Sequence, residues 1–209
     1  MSSDVISVPV WGSESASHSA DFMGSVAQVA SMIDPSVIDQ LVQEIAFVRV
    51  NGGRLFIIGV GGGAGNASHA ACDFRKLCGV QAYVPTDNVS EITARANDEG
   101  LDTIFTGWLT VSRLSSKDAL LIFSVGGGNF ERGVSVSIAK AVHMAKEREA
   151  KVLGVVGRRD GVAAVLGDVG LVVPEVDSSL VTPLTEAFQA VIWHCLVSHP
   201  VLQIEDTKW

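Results

Sequence analysis

The chain has 209 residues, enough for one domain with a full hydrophobic core. Apolar residues make up 47% and charged residues 18%, a balance that points to much buried surface, part of it between subunits. The formal charge of −8 argues against a nucleic-acid partner, and no basic-then-apolar leader or run of about 18 apolar residues suggests secretion or a membrane span.

In chain order, residues 1–14 carry no pattern and are expected to form an arm. Ser15 to Ser31 has helical spacing through Phe22, Val26 and Val29. Asp34-Pro35 is a helix start, with Asp34 as N-cap and proline at the first helical position. That helix should run to Asn51-Gly-Gly. Residues 54–58 form a short apolar run that reads as a buried strand. A glycine turn follows, then a helix over 66–77. Val80–Val84 reads as a second strand, and Asn88-Val-Ser-Glu91 as a capping box opening a helix. Leu101–Leu109 reads as another helix, Ala119–Phe123 as a strand, 131–148 as a helix and Lys151–Val156 as a strand. Gly170–Val173 and a terminal helix at Thr182–Val197 close the pattern.

Strands alternating with helices predict an α/β fold: a three-layer αβα sandwich on a five-stranded parallel sheet, preceded by two helices. The expected organisation is a single domain, with the arm at 1–14, helices at 15–52 and the αβα core at 53–199. Cys72, Cys78 and Cys195 are odd in number and lack metal-finger spacing, so a reducing, cytoplasmic setting is expected. Cys72 and Cys195 read as small buried hydrophobes.

In a parallel sheet, ligands gather at the strand C-terminal ends. Two glycine turns fall there. Gly59-Val-Gly61-Gly62-Gly63-Ala64 joins strand to helix, where free N–H groups and the helix dipole suit an anion. It also meets the dinucleotide fingerprint G-x-G-x-x-A, a weak signal, and lacks the Lys-Ser/Thr of a P-loop. Ser124-Val-Gly126-Gly127-Gly128-Asn129 offers backbone N–H groups plus a hydroxyl and an amide. Either turn could serve packing alone. Two at neighbouring strand ends favour one phosphorylated ligand. A third feature is His69 and Asp73, four apart and so on one helix face.

These elements together resemble the sugar isomerase (SIS) domain family, closest to its phosphoheptose isomerases. The resemblance rests on Gly59-x-Gly61-Gly62, on Ser124-x-Gly126-Gly127-Gly128-Asn129 and on Asn97-Asp98 between them, and it covers nearly the whole chain. It implies a flavodoxin-like αβα sandwich and a homotetramer with active sites between protomers. The implied reaction is aldose–ketose isomerisation of sedoheptulose 7-phosphate to D-glycero-D-manno-heptose 7-phosphate. It further implies a metal set of His69, Asp73, Glu186 and His194, the last two eight apart on the terminal helix, suited to Zn²⁺ or another divalent ion. Asp73 and His194 would transfer the proton. Gly61, Gly62, Gly63, Asn97, Asp98, Ser124, Gly126, Gly127, Gly128, Asn129 and Glu186 would bind the sugar phosphate.

The chain departs from the family pattern in four places. Asp73 stands for a glutamate, Glu186 for a glutamine, Gly63 for a serine, and Val125 with three glycines for a hydroxyl-rich loop. Phosphate contacts are therefore expected to shift to backbone N–H groups, Ser124, Asn129 and Arg75 or Arg132. Asp98 or Asp87 could orient hydroxyls. The alternative reading is a non-catalytic sugar-phosphate-binding regulatory module.

Overall fold

The computed structural model describes residues 13–207, so most of the expected arm lies outside the described residues. Two helices come first, α1 (Ser13–Met32) and α2 (Pro35–Val50). Asp34 caps α2 by accepting the Ser36 N–H at 2.9 Å. The αβα core follows: β1 (Leu55–Gly59), α3 (Gly62–Cys78), β2 (Ala82–Tyr83), α4 (Val89–Asp98) and α5 (Ile104–Val111). Then come β3 (Ala119–Ser124), α6 (Val136–Glu147), β4 (Lys151–Val156), α7 (Val162–Leu166), β5 (Val169–Val172) and α8 (Val181–Val197).

All five strands are parallel in the order β2-β1-β3-β4-β5. The order reverses between β1 and β3, which opens a crevice at their C-terminal ends. β1 and β3 are buried at every position because helices cover both faces. Leu55, Ile57, Leu121, Phe123, Leu153 and Val155 meet α2, α3 and α8. Phe56, Ile58, Leu120 and Ile122 face α5 and α6 on the other side.

At the opposite, N-terminal end of the sheet, a buried ion pair ties the strands. Asp118 is 2% exposed and accepts from the Arg54 backbone N–H, Nε and Nη2, and from Ser115. Burial pushes its carboxyl up, but these hydrogen bonds outweigh that and hold it below the usual range.

Several boundaries differ from the sequence reading. α3 begins four residues early, at Gly62, because the glycines themselves enter the helix. β2 shrinks to two residues: Gly79 ends α3 in the left-handed region at φ +60, and the Val80 N–H turns back to Phe74. Leu101–Thr103 is a 3₁₀ turn ahead of α5. The helix expected from 131 starts at 136. Gly133 and Ser135 hold φ of +63 and +46, and an Asn129–Val134 bridge folds 129–134 into a tight loop. α7 has five residues, too few for periodicity to reveal.

The cysteines are also corrected. Cys72 and Cys195 are exposed, and Cys78 is the buried one, its thiol pushed up to about 11 by burial. The reason is how α3 and α8 pack side by side. Their shared seam takes Gln189, Trp193 and Leu196 inward with Phe188 and Ile192, and turns Val191, His194 and Cys195 outward.

Candidate active site

The crevice between β1 and β3 opens into a cavity of about 430 Å³. Val60 lines it from just after β1, and Ser124 at the end of β3 lines it with Val125 and Gly126 of the turn that follows. The β3 turn is shaped by its glycines: Gly127 and Gly128 hold φ of +68 and +81, where a side chain would be strained. The Gly127 N–H donates to Ser124 Oγ at 3.0 Å. The carbonyls of Gly127 and Gly128 accept from Ala163 and Val162 at the start of α7. α7 thus braces the turn from behind. Asn129 directs its side-chain oxygen to the Arg132 N–H at 2.9 Å, so it shapes the loop.

Five further residues complete the wall: Arg132, Val134 and Ser135 from the loop before α6, Arg158 just after β4, and Thr182 in the first turn of α8. Of these, sequence reasoning singled out only Arg132. Arg158 had a usable signal, since Gly157-Arg-Arg-Asp-Gly161 follows a strand C-terminus, where parallel sheets bind ligands. Ser135 and Thr182 had none, because their approach depends on how α6 and α8 enter the fold.

The first glycine turn is built differently. Gly61, Gly62 and Gly63 do not line the cavity. A Cβ on Gly62 would collide with the Glu186 carboxylate, which lies over the first turn of α3. Gly63 is packed against the carbonyl of Phe123. Behind them, Asn66 donates to the Glu186 carbonyl and to Gln189 Oε1, both at 3.0 Å, and buried Gln189 donates to Val155 at 3.3 Å. This chain of amides fixes α8 against α3 and β4.

Further along the same seam stand His69, Asp73 and His194. One ligand atom from each lies within 4.8 Å of the others, and His69 Nε2 is 3.8 Å from Asp73 Oδ2. His194 Nδ1 is 2.7 Å from the Ala190 carbonyl, so it carries the proton and leaves Nε2 as the lone-pair nitrogen. Trp193, buried beside them, has its ring 4.6 Å from that of His69 and stacks on His194. Two imidazoles and one carboxylate with an accessible side match the three-ligand pattern of catalytic zinc sites. The donors therefore fit a divalent ion.

Glu186 is not among them. Eight helical residues rise about 12 Å, and the Glu186 carboxylate stays with Gly62. Asn97 and Asp98 sit exposed at the end of α4, hydrogen-bonded to each other at 2.8 Å, and do not line the cavity. Asp87 accepts from Ser68 at 2.7 Å. Arg75 donates to the Ala82 carbonyl and packs over Tyr83, in a separate hollow beside β2.

No known family profile matches the chain. Over 163 residues it is 30% identical to the phosphoheptose isomerase of Aliarcobacter butzleri, covering 76% of this chain and 78% of that one. It is 33% identical over 159 residues to the lincomycin biosynthesis protein LmbN of Streptomyces lincolnensis. That match covers 71% of this chain but 56% of the relative, so the chain spans a little over half of that protein's length. The structure of phosphoheptose isomerase GmhA from Neisseria gonorrhoeae matches the fold with a TM-score of 0.73 at 25% identity, over 88% of this chain and 96% of that one. By sequence over three quarters of both lengths, and by fold, the chain belongs to the phosphoheptose isomerase family of SIS-domain phosphosugar isomerases.

Proposed function

We propose that the protein interconverts sedoheptulose 7-phosphate and D-glycero-D-manno-heptose 7-phosphate by moving a proton between C1 and C2 through an enediol(ate). The observation that carries this reading is the convergence of His69, Asp73 and His194 on the α3–α8 seam. A module that only bound a sugar phosphate would have no use for that donor set. Asp73, partly buried, takes the proton from carbon, and His194 serves the oxygen with its free Nε2. A divalent ion such as Zn²⁺, held by His69, Asp73 and His194 Nε2, would stand in for the imidazole at the oxygen, polarising the carbonyl and stabilising developing negative charge. Ser124 and the N–H groups of the β3 turn receive the phosphate in the cavity.

The separation of the two parts supports a shared site. Thr182 at the cavity and His194 at the cluster are twelve residues apart on α8, about 18 Å of helix. A seven-carbon chain from C1 to phosphorus spans roughly 10 Å, at about 1.5 Å per bond before its zigzag is counted. We therefore read the active form as a homotetramer in which a phosphate held by one protomer presents its sugar to the cluster of another. Exposed apolar side chains on α1 and α2, including Met23, Phe47 and Val50, support such assembly. The three free cysteines suit a reducing cytoplasm. No helix among the described residues is long and apolar enough to cross a membrane.

Incubation with sedoheptulose 7-phosphate, followed by NMR of the products with and without added Zn²⁺, tests the proposal. Appearance of the aldose supports it. Absence of aldose under both conditions removes it.

A further inference from the structure

Resting on the phosphosugar reading, we infer that Arg132 and Arg158 are the charged ligands of the substrate phosphate, each held ready in the free protein by a carboxylate that the phosphate displaces. Both arginines line one cavity from different walls, Arg132 from the loop after β3 and Arg158 from the loop after β4, and Arg158 also lines a neighbouring hollow with Asp160 and Glu175. The β3 turn supplies little side-chain chemistry of its own. Its one hydroxyl, Ser124 Oγ, already accepts from Gly127, and Val125 and the glycines add none. A phosphomonoester brings close to two negative charges and three acceptor oxygens. Neutral donors from Ser135 and Thr182 leave that charge unmatched, whereas a pair of guanidinium forks matches both charge and geometry.

Both arginines are already engaged. Arg132 Nη2 lies 2.7 Å from Asp160 Oδ2, and Arg158 Nη1 lies 2.7 Å from Glu175 Oε2. Neither carboxylate lines the cavity. In the first pair the side chains are 52% and 60% exposed, and in the second 43% and 42%. Pairs so open to water contribute little, about 0–1 kcal/mol, so a dianion can take the guanidinium from them at small cost. The pairs keep two like charges apart and oriented while the cavity waits. Asp160 sits between Arg158 and the α7 brace of the glycine turn, so the Arg132–Asp160 contact also links the two loops that face the ligand.

Inorganic phosphate, titrated into the whole protein and followed by ³¹P NMR at low ionic strength, is the direct probe. Arg132→Gln and Arg158→Gln should each weaken binding about ten- to a hundredfold, the range for a lost charge-assisted hydrogen bond. Arg132→Lys and Arg158→Lys keep the charge, and should recover part of the loss if a glutamine variant folds poorly. Asp160→Asn and Glu175→Gln should tighten binding about two- to fivefold, because each removes a competitor. A brace that merely shaped the loops would give the reverse for the carboxylate variants. Wild-type affinity in both arginine variants, weaker binding in the carboxylate variants, or no phosphate binding by the wild type overturns the inference. Failure to isomerise sedoheptulose 7-phosphate with this pattern intact would instead count against the proposed reaction alone.

Discussion

Gly59–Gly63 and Gly126–Gly128 occupy equivalent places, one at the end of each central strand, and differ in what their glycines make room for. In the first turn the missing side chains clear space for the protein itself. A Cβ on Gly59 would strike the carbonyl of Gly63, one on Gly63 the carbonyl of Phe123, and one on Gly62 the Glu186 carboxylate. That carboxylate sits where the α3 dipole would welcome an anion, so the chain supplies its own. In the second turn Gly127 and Gly128 bend the backbone through the left-handed region, Gly128 close against Ala139 of α6, and Gly126 lines the cavity in front. A glycine-rich string thus encodes clearance. Whether a ligand or a side chain fills it is decided by residues more than a hundred positions away, such as Glu186.

The largest expected effect lies where the first turn leads, on the α3–α8 seam. His194→Ala should lower kcat about 10²- to 10⁴-fold. Because His194 is exposed, the melting temperature should move by only a few degrees. A variant with full activity would remove His194 from the mechanism.

Substitutions in the two turns should separate stability from binding. Gly59→Ala forces backbone apart and should cost about 3 kcal/mol, or roughly 6–12 °C in melting temperature. Gly126→Ala meets only Val134 Cγ1, at 3.0 Å, and should cost less than about 1 kcal/mol while weakening phosphate binding. Equal stability losses with unchanged phosphate binding would erase the distinction drawn between the turns.

Asp118→Asn offers a control at the far end of the sheet, where no ligand is invoked. Losing its charged contacts should cost about 2 kcal/mol at pH 7. The Asp118 carboxyl is held below its ordinary value in the fold. Its contribution is therefore complete above the unfolded value, near 4, and fades as pH falls through the lower folded value. Urea midpoints of wild type and variant should accordingly draw together below about pH 4, with phosphate binding at pH 7 unaffected. A pH-independent gap would contradict the assignment.

Glu186→Gln is the smallest effect and the most specific to the first turn. It removes the anion over the first turn of α3 and should cost about 0.5 kcal/mol. A gain in stability would mean that the carboxylate is not favoured there.

The layers of the fold were legible because burial imposes them. β1, β3 and β4 are short apolar runs between helical stretches, and such strands need helices on both faces. The pairing of His69 with Asp73 was legible from helical spacing, but its meeting with His194 depends on how two helices distant in sequence lie together. Glu186 shows the limit of register. The family resemblance implied a fourth ligand eight positions before His194, yet helix rise carries its carboxylate to Gly62 instead. The two exposed cysteines, one on α3 and one on α8, were misplaced because the apolar pattern of each helix does not say which flank the other will cover. Arg158 escaped notice because a charged loop gives no periodic signal.

Trp193 gives the cluster an optical consequence. Its indole is 1% exposed, its N–H has no hydrogen-bond partner, and its ring touches the imidazoles of both His69 and His194. Of the two tryptophans among the described residues, Trp108 and Trp193, it alone makes these contacts. Its fluorescence should be blue-shifted by burial and sensitive to anything that changes the charge or occupancy of the two rings. The protein thereby carries its own chromophore at the place where chemistry is assigned, and ion binding there can be followed by intrinsic emission without any label.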